Sequence, residues 1–337
     1  MNGSAVADFP STAELVEGIQ NADRARMGQA ISLVESELPL HRKQAEALLE
    51  ELGPAAGTSW RIGITGVPGA GKSSFLEQLG LHITREREEK VAVLAIDPSS
   101  PISGGSILGD KTRMNDLARD PRAFIRPSPS GGTFGGVARR SQEIIRICEA
   151  AGFQYCFIET VGVGQSEDLV KKLSDVMILL MITGAGDQLQ GIKRGIMEVA
   201  DLVLVNKADG NNTVPAKKTL AELRQSAAML PLPAHGRPVV SDTCTSLDQR
   251  DMPRIWTHLM DHFNSVVASG WLKENRDTQD RYWVRAQLNE WVQDELDHWL
   301  ENDAEASSLL SSQSSKLPFS RSAELFRRYQ RLRGTND

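Results

Sequence analysis

The chain has 337 residues, of which 40% are hydrophobic and 24% charged, and its formal net charge is −6. That is the composition of a globular protein with one sizeable core and some helical additions. The acidic balance excludes wholesale wrapping of nucleic acid, and no segment has the run of about 18 apolar residues that a membrane-spanning helix needs.

The first stretch, MNGSAVADFPSTAELVEGI, lacks a basic region followed by an apolar one, so a cytoplasmic protein is expected. Cys148, Cys156 and Cys244 form no CxxC pair and are expected to be reduced core thiols. Residues 11 to 52 read as helix. Thr12-Ala-Glu-Leu15-Val16 opens with a cap-like pattern, Ile31, Leu33, Val34, Ala45, Leu48 and Leu49 recur near helical spacing, and Gly53-Pro54 ends the segment. From 61 to about 264 apolar runs alternate with helical ones: Ile62–Thr65, Val91–Ile96, Tyr155–Glu159, Val176–Ile182, Leu202–Val205 and Val239–Val240. Near-continuous runs of this kind suit a parallel sheet covered on both faces, so an α/β fold with a doubly wound, mostly parallel sheet is predicted.

The last part returns to helix, with a broad apolar stripe of Trp283, Val284, Leu288, Trp291, Val292, Leu296, Trp299 and Leu300. The stripe is either ordinary core or a dimer contact, because a large aromatic face on a short appendage needs something to cover it. Ser307–Ser315 reads as a flexible joint before a basic helix around Ala323–Arg333, whose arginines suit a solvated face. The expected division is an N-terminal helical extension over 1–58, the α/β domain over 59–264, and a C-terminal helical region over 265–337.

The chemistry begins at ITGVPGAGKSS, residues 64 to 74, directly after the first strand-like run. Gly66-Val67-Pro68-Gly69-Ala70-Gly71-Lys72-Ser73-Ser74 has the spacing of a loop whose backbone N–H groups cradle phosphates. Lys72 is then expected against the β- and γ-phosphate oxygens, and the Ser73 hydroxyl on Mg²⁺. Asn206-Lys207-Ala208-Asp209 follows an apolar strand, where a loop that reads the base should lie. A carboxylate there accepts from both N1–H and the 2-amino group of guanine, whereas adenine offers an acceptor at N1 and no 2-amino group. Guanine is therefore the expected base, with Lys207 over its ring. TCTSL, residues 243 to 247, sits where a loop contacting guanine O6 is expected, with Thr245 and Ser246 as its small residues. Asp97 and Glu159 fall at strand ends, on the edge where ligands bind in such sheets, and with Ser73 they are the candidate Mg²⁺ ligands. For Asp97, a turn cap before Pro98 is the bland reading. No Gln directly follows Gly162; Val163 stands there and Gln165 lies three residues on, so slow intrinsic hydrolysis is expected.

The segments GVPGAGKSS, AIDPSSPISGGSILGDKTRM, FIRPSPSGGTFGGVARR, ETVGVGQSE, GDQLQGIKRGIMEVAD and NKAD together resemble the MeaB/ArgK group of GTPases, to which the methylmalonic aciduria type A proteins are related. The resemblance spans roughly residues 12 to 272. It implies a P-loop GTPase domain of the SIMIBI class that binds and hydrolyses GTP to GDP with Mg²⁺. It also implies a homodimer that serves as chaperone of an adenosylcobalamin-dependent acyl-CoA mutase, most familiarly methylmalonyl-CoA mutase, gating cofactor delivery and protecting the mutase. Neither a nucleic-acid nor a membrane partner is implied. By matching motif, Asp97 to Arg113 would be a first switch, Glu159 to Glu167 a second, and Gly184 to Gly195 a third that senses the partner. Arg113 would then join Lys72, Asp97 and Glu159 in catalysis, and Asp187, Gln188 and Lys193 would form the partner-sensing set. The chain departs from the family pattern at Gln188, where an acidic residue is usual, at Phe134, and in TCTSLDQRD, where Ser246 replaces an Ala and Asp251 a Gly.

Other readings stay open. A phosphate loop also serves kinases, and relatives have been described as kinases linked to basic amino-acid transport; no acceptor site is visible. A metallochaperone would need a His or Cys cluster. His258-Leu-Met-Asp-His262 has i, i+4 spacing without a third ligand nearby in sequence, and reads better as an amphipathic surface helix.

Overall fold

The structure is a computed structural model, and it describes residues 9–36, 38–54, 59–96, 114–126, 140–160, 167–184, 195–311 and 317–334. Among the described residues, seven strands form its sheet: β1 (Trp60–Gly66), β2 (Val91–Ile96), β3 (Ala123–Arg126), β4 (Tyr155–Thr160), β5 (Val176–Met181), β6 (Leu202–Val205) and β7 (Val240–Thr243). Their order is β3-β2-β4-β1-β5-β6-β7, and every neighbouring pair is parallel. The expected doubly wound α/β fold is the one observed. Sequence order reverses about β1, so the crevice above its C-terminal end is the topological switch point where such sheets bind ligands.

Burial explains the apolar runs. β4, β5 and β6 are buried at every residue, as strands covered on both faces must be. Ile62, Ile64, Phe157, Ile178, Leu180 and Leu204 join Phe75, Leu76 and Leu79 of the helix Lys72–Glu86 and Ile255, Leu259 and Phe263 of the helix Met252–Ala268 in one core cluster. Leu179, Met181, Val203 and Val205 belong to a second cluster with Ala216, Leu220 and Leu223 of the helix Thr213–Ala227. The three cysteines are free and buried, as expected, and burial pushes each thiol well above its ordinary range.

Among the described residues, three helices precede the sheet, Thr12–Gln20, Arg24–Glu35 and Pro39–Leu52. Ser11 and Glu14 close a capping box on the first, and Asp23 caps the second. The chain separates into two compact units, residues 1–279 and 280–337. The first holds the sheet and the helices before it. In the second, the long helix Trp271–Asn302 continues to its end, and Ala304–Leu310 and Pro318–Leu332 follow.

Sequence and structure differ at three places here. The edge strand β3 had not been expected. Part of the Ser-rich stretch read as a joint is the helix Ala304–Leu310, begun by Asp303, whose carboxylate accepts from the N–H groups of Glu305 and Ala306. His262 is buried, with 7% exposure, so its helix does not present it to solvent.

Candidate functional site

β1 runs out at Gly66, and the chain turns through 67–71 into the helix Lys72–Glu86. Two glycines make the turn possible. A Cβ on Gly66 would stand 2.4 Å from the carbonyl oxygen of Leu180, and Gly71 has φ 88° with Asn206 Nδ2 2.8 Å from where its Cβ would be. The Ala70 N–H closes the loop on the Val67 carbonyl at 3.0 Å. Lys72 Nζ donates to the Gly66 carbonyl at 2.9 Å, so the ammonium lies across the loop mouth. Burial lowers its pKa, offset in part by the carboxylates of Glu159 and Glu167.

Glu159 stands near the end of β4, in register with Ile64 of β1 and Ala95 of β2. It is 5% exposed and accepts from the Ser73 hydroxyl at 3.3 Å. A hydroxyl and a carboxylate at this separation, beside a phosphate loop, are hard oxygen donors of the kind Mg²⁺ takes, and the pair fits such an ion.

The base-side residues are joined to the loop. After β6, the Asn206 N–H donates to the Met181 carbonyl at 2.8 Å, and its side-chain Nδ2 donates to the Ala70 carbonyl at 2.7 Å. Asn206 Oδ1 accepts from the Ser246 hydroxyl at 2.8 Å and the Cys244 thiol at 3.5 Å. Lys207 has φ 60°, unusual for a residue with a Cβ, which swings the chain so that Ala208 N–H reaches the Cys244 carbonyl at 3.0 Å. Asp209 Oδ1 accepts from the Thr245 hydroxyl at 3.0 Å. One side chain, Asn206, thus ties the phosphate loop, the 206–209 segment and the 243–251 loop together at the C-terminal edge of the sheet.

Of the residues singled out in the sequence, the structure brings together Gly66 to Ser74, Glu159, Asn206, Lys207, Asp209, Thr245 and Ser246. Asp97, Arg113, Phe134, Gly162, Val163, Gln165, Asp187, Gln188 and Lys193 lie outside the described residues. Sequence reasoning missed the partners of Asp251. Its Oδ2 accepts the Thr245 N–H at 2.8 Å, a contact from the start of one helix back to the loop before it.

The i, i+4 histidines part company. His258 Nε2 meets Asp242 Oδ2 at 2.9 Å, whereas His262 lies within 4.8 Å of Asp201 and His235 by their ligand atoms, supplying neighbours that the sequence did not place there. His235 Nδ1 accepts the Arg237 N–H at 3.2 Å, which puts its proton on Nε2, donated to Asp201 Oδ1 at 2.7 Å. The lone pair that a metal would need from His235 is thereby occupied. Asp201 also precedes β6, at the opposite end of the strands from the phosphate loop.

Known proteins give the same reading. The profile of a family described as "Methylmalonyl Co-A mutase-associated GTPase MeaB" matches residues 27–301. "GTPase ArgK" of Escherichia coli (strain K12) is 47% identical over 281 residues, 82% of this chain and 84% of that protein. "Methylmalonic aciduria type A homolog, mitochondrial" of Caenorhabditis elegans is 41% identical over 292 residues, 83% of this chain and 73% of that protein. A crystal structure titled "LAO/AO transport system kinase" is 35% identical, covers 97% of this chain and all of its own, and superposes with a TM-score of 0.73. A phosphate loop sewn to a guanine-type loop, on a sheet of this order, in a chain alike over four fifths of its length, has one assignment: the protein belongs to the MeaB/ArgK family of P-loop GTPases.

Proposed function

We propose that this GTPase is the Mg²⁺-dependent chaperone of an adenosylcobalamin-dependent acyl-CoA mutase, with methylmalonyl-CoA mutase as the first candidate, and that it works as a homodimer. The observation that carries the nucleotide part is the Asp209–Thr245–Asn206 constellation, in which Asp209 Oδ1 is oriented by the Thr245 hydroxyl and Oδ2 makes no hydrogen bond among the described residues. Asp209 accepts the two guanine donors, Lys207 covers the ring, and Ser246 and Thr245 line the O6 side. Backbone N–H groups of 67–74 and the Lys72 ammonium hold the phosphates. Ser73 and Glu159 would hold Mg²⁺, with Asp97, and the ion would neutralise charge on the β- and γ-phosphate oxygens. Lys72 and the loop amides stabilise the charge that moves toward the β–γ bridging oxygen as water attacks the γ-phosphorus and GDP leaves.

What supports the partner is family membership together with the family's description as mutase-associated. Slow hydrolysis is expected from the protein alone, with acceleration when the mutase engages the switch segments, Arg113 and the set Asp187, Gln188 and Lys193 among them. The residues 265–337 would act as the dimerisation arm. The deciding experiment compares GTP turnover with and without saturating mutase, and repeats it for Asp187→Ala and Lys193→Ala. Those variants should keep basal turnover and lose the acceleration. Unchanged turnover of the wild type on adding mutase would sink the chaperone reading, and label passing from γ-phosphate to an acceptor other than water would replace it with a kinase.

A further inference from the structure

Asp251 occupies the N-cap of the helix Met252–Ala268, where an aspartate ordinarily turns its carboxylate onto the first amides of its own helix. It does not do so here. Its φ and ψ are −94° and −13°, helical rather than extended, and the side chain makes no capping hydrogen bond. The carboxylate is used elsewhere: Oδ2 accepts the Thr245 N–H at 2.8 Å, and Oδ1 accepts from Arg254 Nη2 at 2.9 Å. Arg254 donates in turn to the Thr243 carbonyl at 3.0 Å and to Asp242. Both ends of the loop 243–251 are therefore clamped to one guanidinium and one carboxylate.

The residue this clamp controls is Thr245. Its N–H is held by Asp251, and its Oγ1 accepts the Leu247 N–H at 3.3 Å, so its hydroxyl proton is directed to Asp209 Oδ1 at 3.0 Å. A carboxylate this close to Asp209 would ordinarily repel it. Arg254 offsets that charge directly, and Arg250, paired with Asp248, lies near enough to both Asp251 and Asp209 to interact with each.

Resting on the guanine-site reading above, we infer that Asp251 is a positioning residue for base selectivity. It fixes Thr245, whose hydroxyl turns Asp209 so that the carboxylate meets N1–H and the 2-amino group of guanine together. Asp251 acts through Thr245 and not on the base.

The test uses the full-length protein and the dissociation constants of GDP, IDP and ADP. IDP lacks the 2-amino group, so the IDP/GDP ratio reports whether Asp209 engages both donors; general loosening of the loop weakens the two alike. Asp251→Ala should lower that ratio about tenfold, the effect of one charge-assisted hydrogen bond. Asp251→Asn, which keeps an acceptor for the Thr245 N–H, should retain most of it. Asp251→Ser can cap the helix but is too short to reach Thr245, so it should lose selectivity while the fold is kept. Thr245→Ala should lower the ratio as well, and adding Asp251→Ala to it should cost nothing more. An unchanged IDP/GDP ratio in Asp251→Ala and Asp251→Ser, or losses that add in the double variant, would overturn the role. A wild type that binds ADP as tightly as GDP would instead overturn the guanine site on which it rests.

Discussion

Asp209 and Ser73 are the residues at which base choice and metal dependence can be read separately. Asp209→Asn puts an amide donor where guanine also offers donors, so GTP affinity should fall on the order of a hundredfold, about 3 kcal/mol for two mismatched groups. Xanthine carries an oxygen at position 2 and should then be preferred. A competition of GTP against XTP on the variant checks this, and normal GTP affinity with XTP still rejected would remove Asp209 from the base site. Ser73→Ala keeps the backbone amides of the loop and loses the hydroxyl that reaches Glu159 at 3.3 Å. Hydrolysis at limiting Mg²⁺ should fall well below GDP binding; equal losses in both assays would place Ser73 in nucleotide binding alone. These residues were legible in the sequence because each motif is contiguous, and a run of glycines before Lys72, or a carboxylate three residues after an asparagine, carries its chemistry within one loop. Asp251 was not legible in that way. In sequence it stands only as a missing glycine, and folding is what brings it back on Thr245.

At the scale of elements, the N-terminal edge of the sheet is fastened by buried charge. Arg61 of β1 donates from Nε and Nη2 to Glu149 at 2.8 and 3.2 Å, and Ser59 Oγ donates to the same carboxylate at 2.6 Å. The Arg61 N–H and Arg276 both donate to Asp175, which has no exposed side-chain surface. One ion cluster thus ties β1, the helix Ser141–Ala150, the turn before β5 and the start of the helix Trp271–Asn302. Removing one partner leaves the other charged in the interior, so Glu149→Ala should cost about 3–5 kcal/mol, read as a shift of the denaturation midpoint. Burial raises the Glu149 pKa, but the Arg61 charge and the hydrogen bonds from Arg61 and Ser59 outweigh it and hold the group below its ordinary 4.5. A folded value below the unfolded one means the pair contributes fully above about pH 4.5 and is lost as pH falls through the folded value. Wild type should therefore destabilise more steeply below that pH than Glu149→Ala; parallel acid profiles would show that the pair is not what acid breaks. Elements announced by long apolar runs were legible from the sequence. The edge strand β3 was not, since four residues, AFIR, with one neighbour in the sheet carry too little periodicity to read. The helix Ala304–Leu310 was hidden by its serines, and its Asp303 cap is backed by contacts distant in sequence: Arg328 pairs with both Asp303 and Glu305, and Ala306 is buried.

The whole molecule raises the question of what the second unit is for. Val284, Leu288, Trp291 and Val292, at i, i+4, i+7 and i+8 of the helix Trp271–Asn302, are 70%, 55%, 40% and 47% exposed. That spacing is one helix face, and a helix keeps an exposed apolar face of this kind when something else covers it. By contrast Trp283 is buried, and Trp299 lies against Tyr329 with ring centroids 5.4 Å apart, so part of the aromatic stripe expected as either core or contact is core. The remaining face suits a second copy of the chain, because an isologous contact lets the same residues cover one another. Replacing Leu288 and Trp291 together by glutamate would bring like charges onto such a contact from both copies, a cost far above that of losing the apolar area. The variant should run as a monomer in sedimentation or light scattering where the wild type runs as a dimer, with nucleotide affinity intact since the phosphate and base loops belong to the first unit. Basal hydrolysis in the monomer then separates two mechanisms. Turnover kept at the wild-type rate would mean each copy completes its own site, whereas turnover lost on dissociation and regained when the variant is mixed with excess wild type would mean one copy contributes to the site of the other. A wild type that is monomeric at working concentration would leave the exposed face to a different partner and would remove the dimer from the proposal.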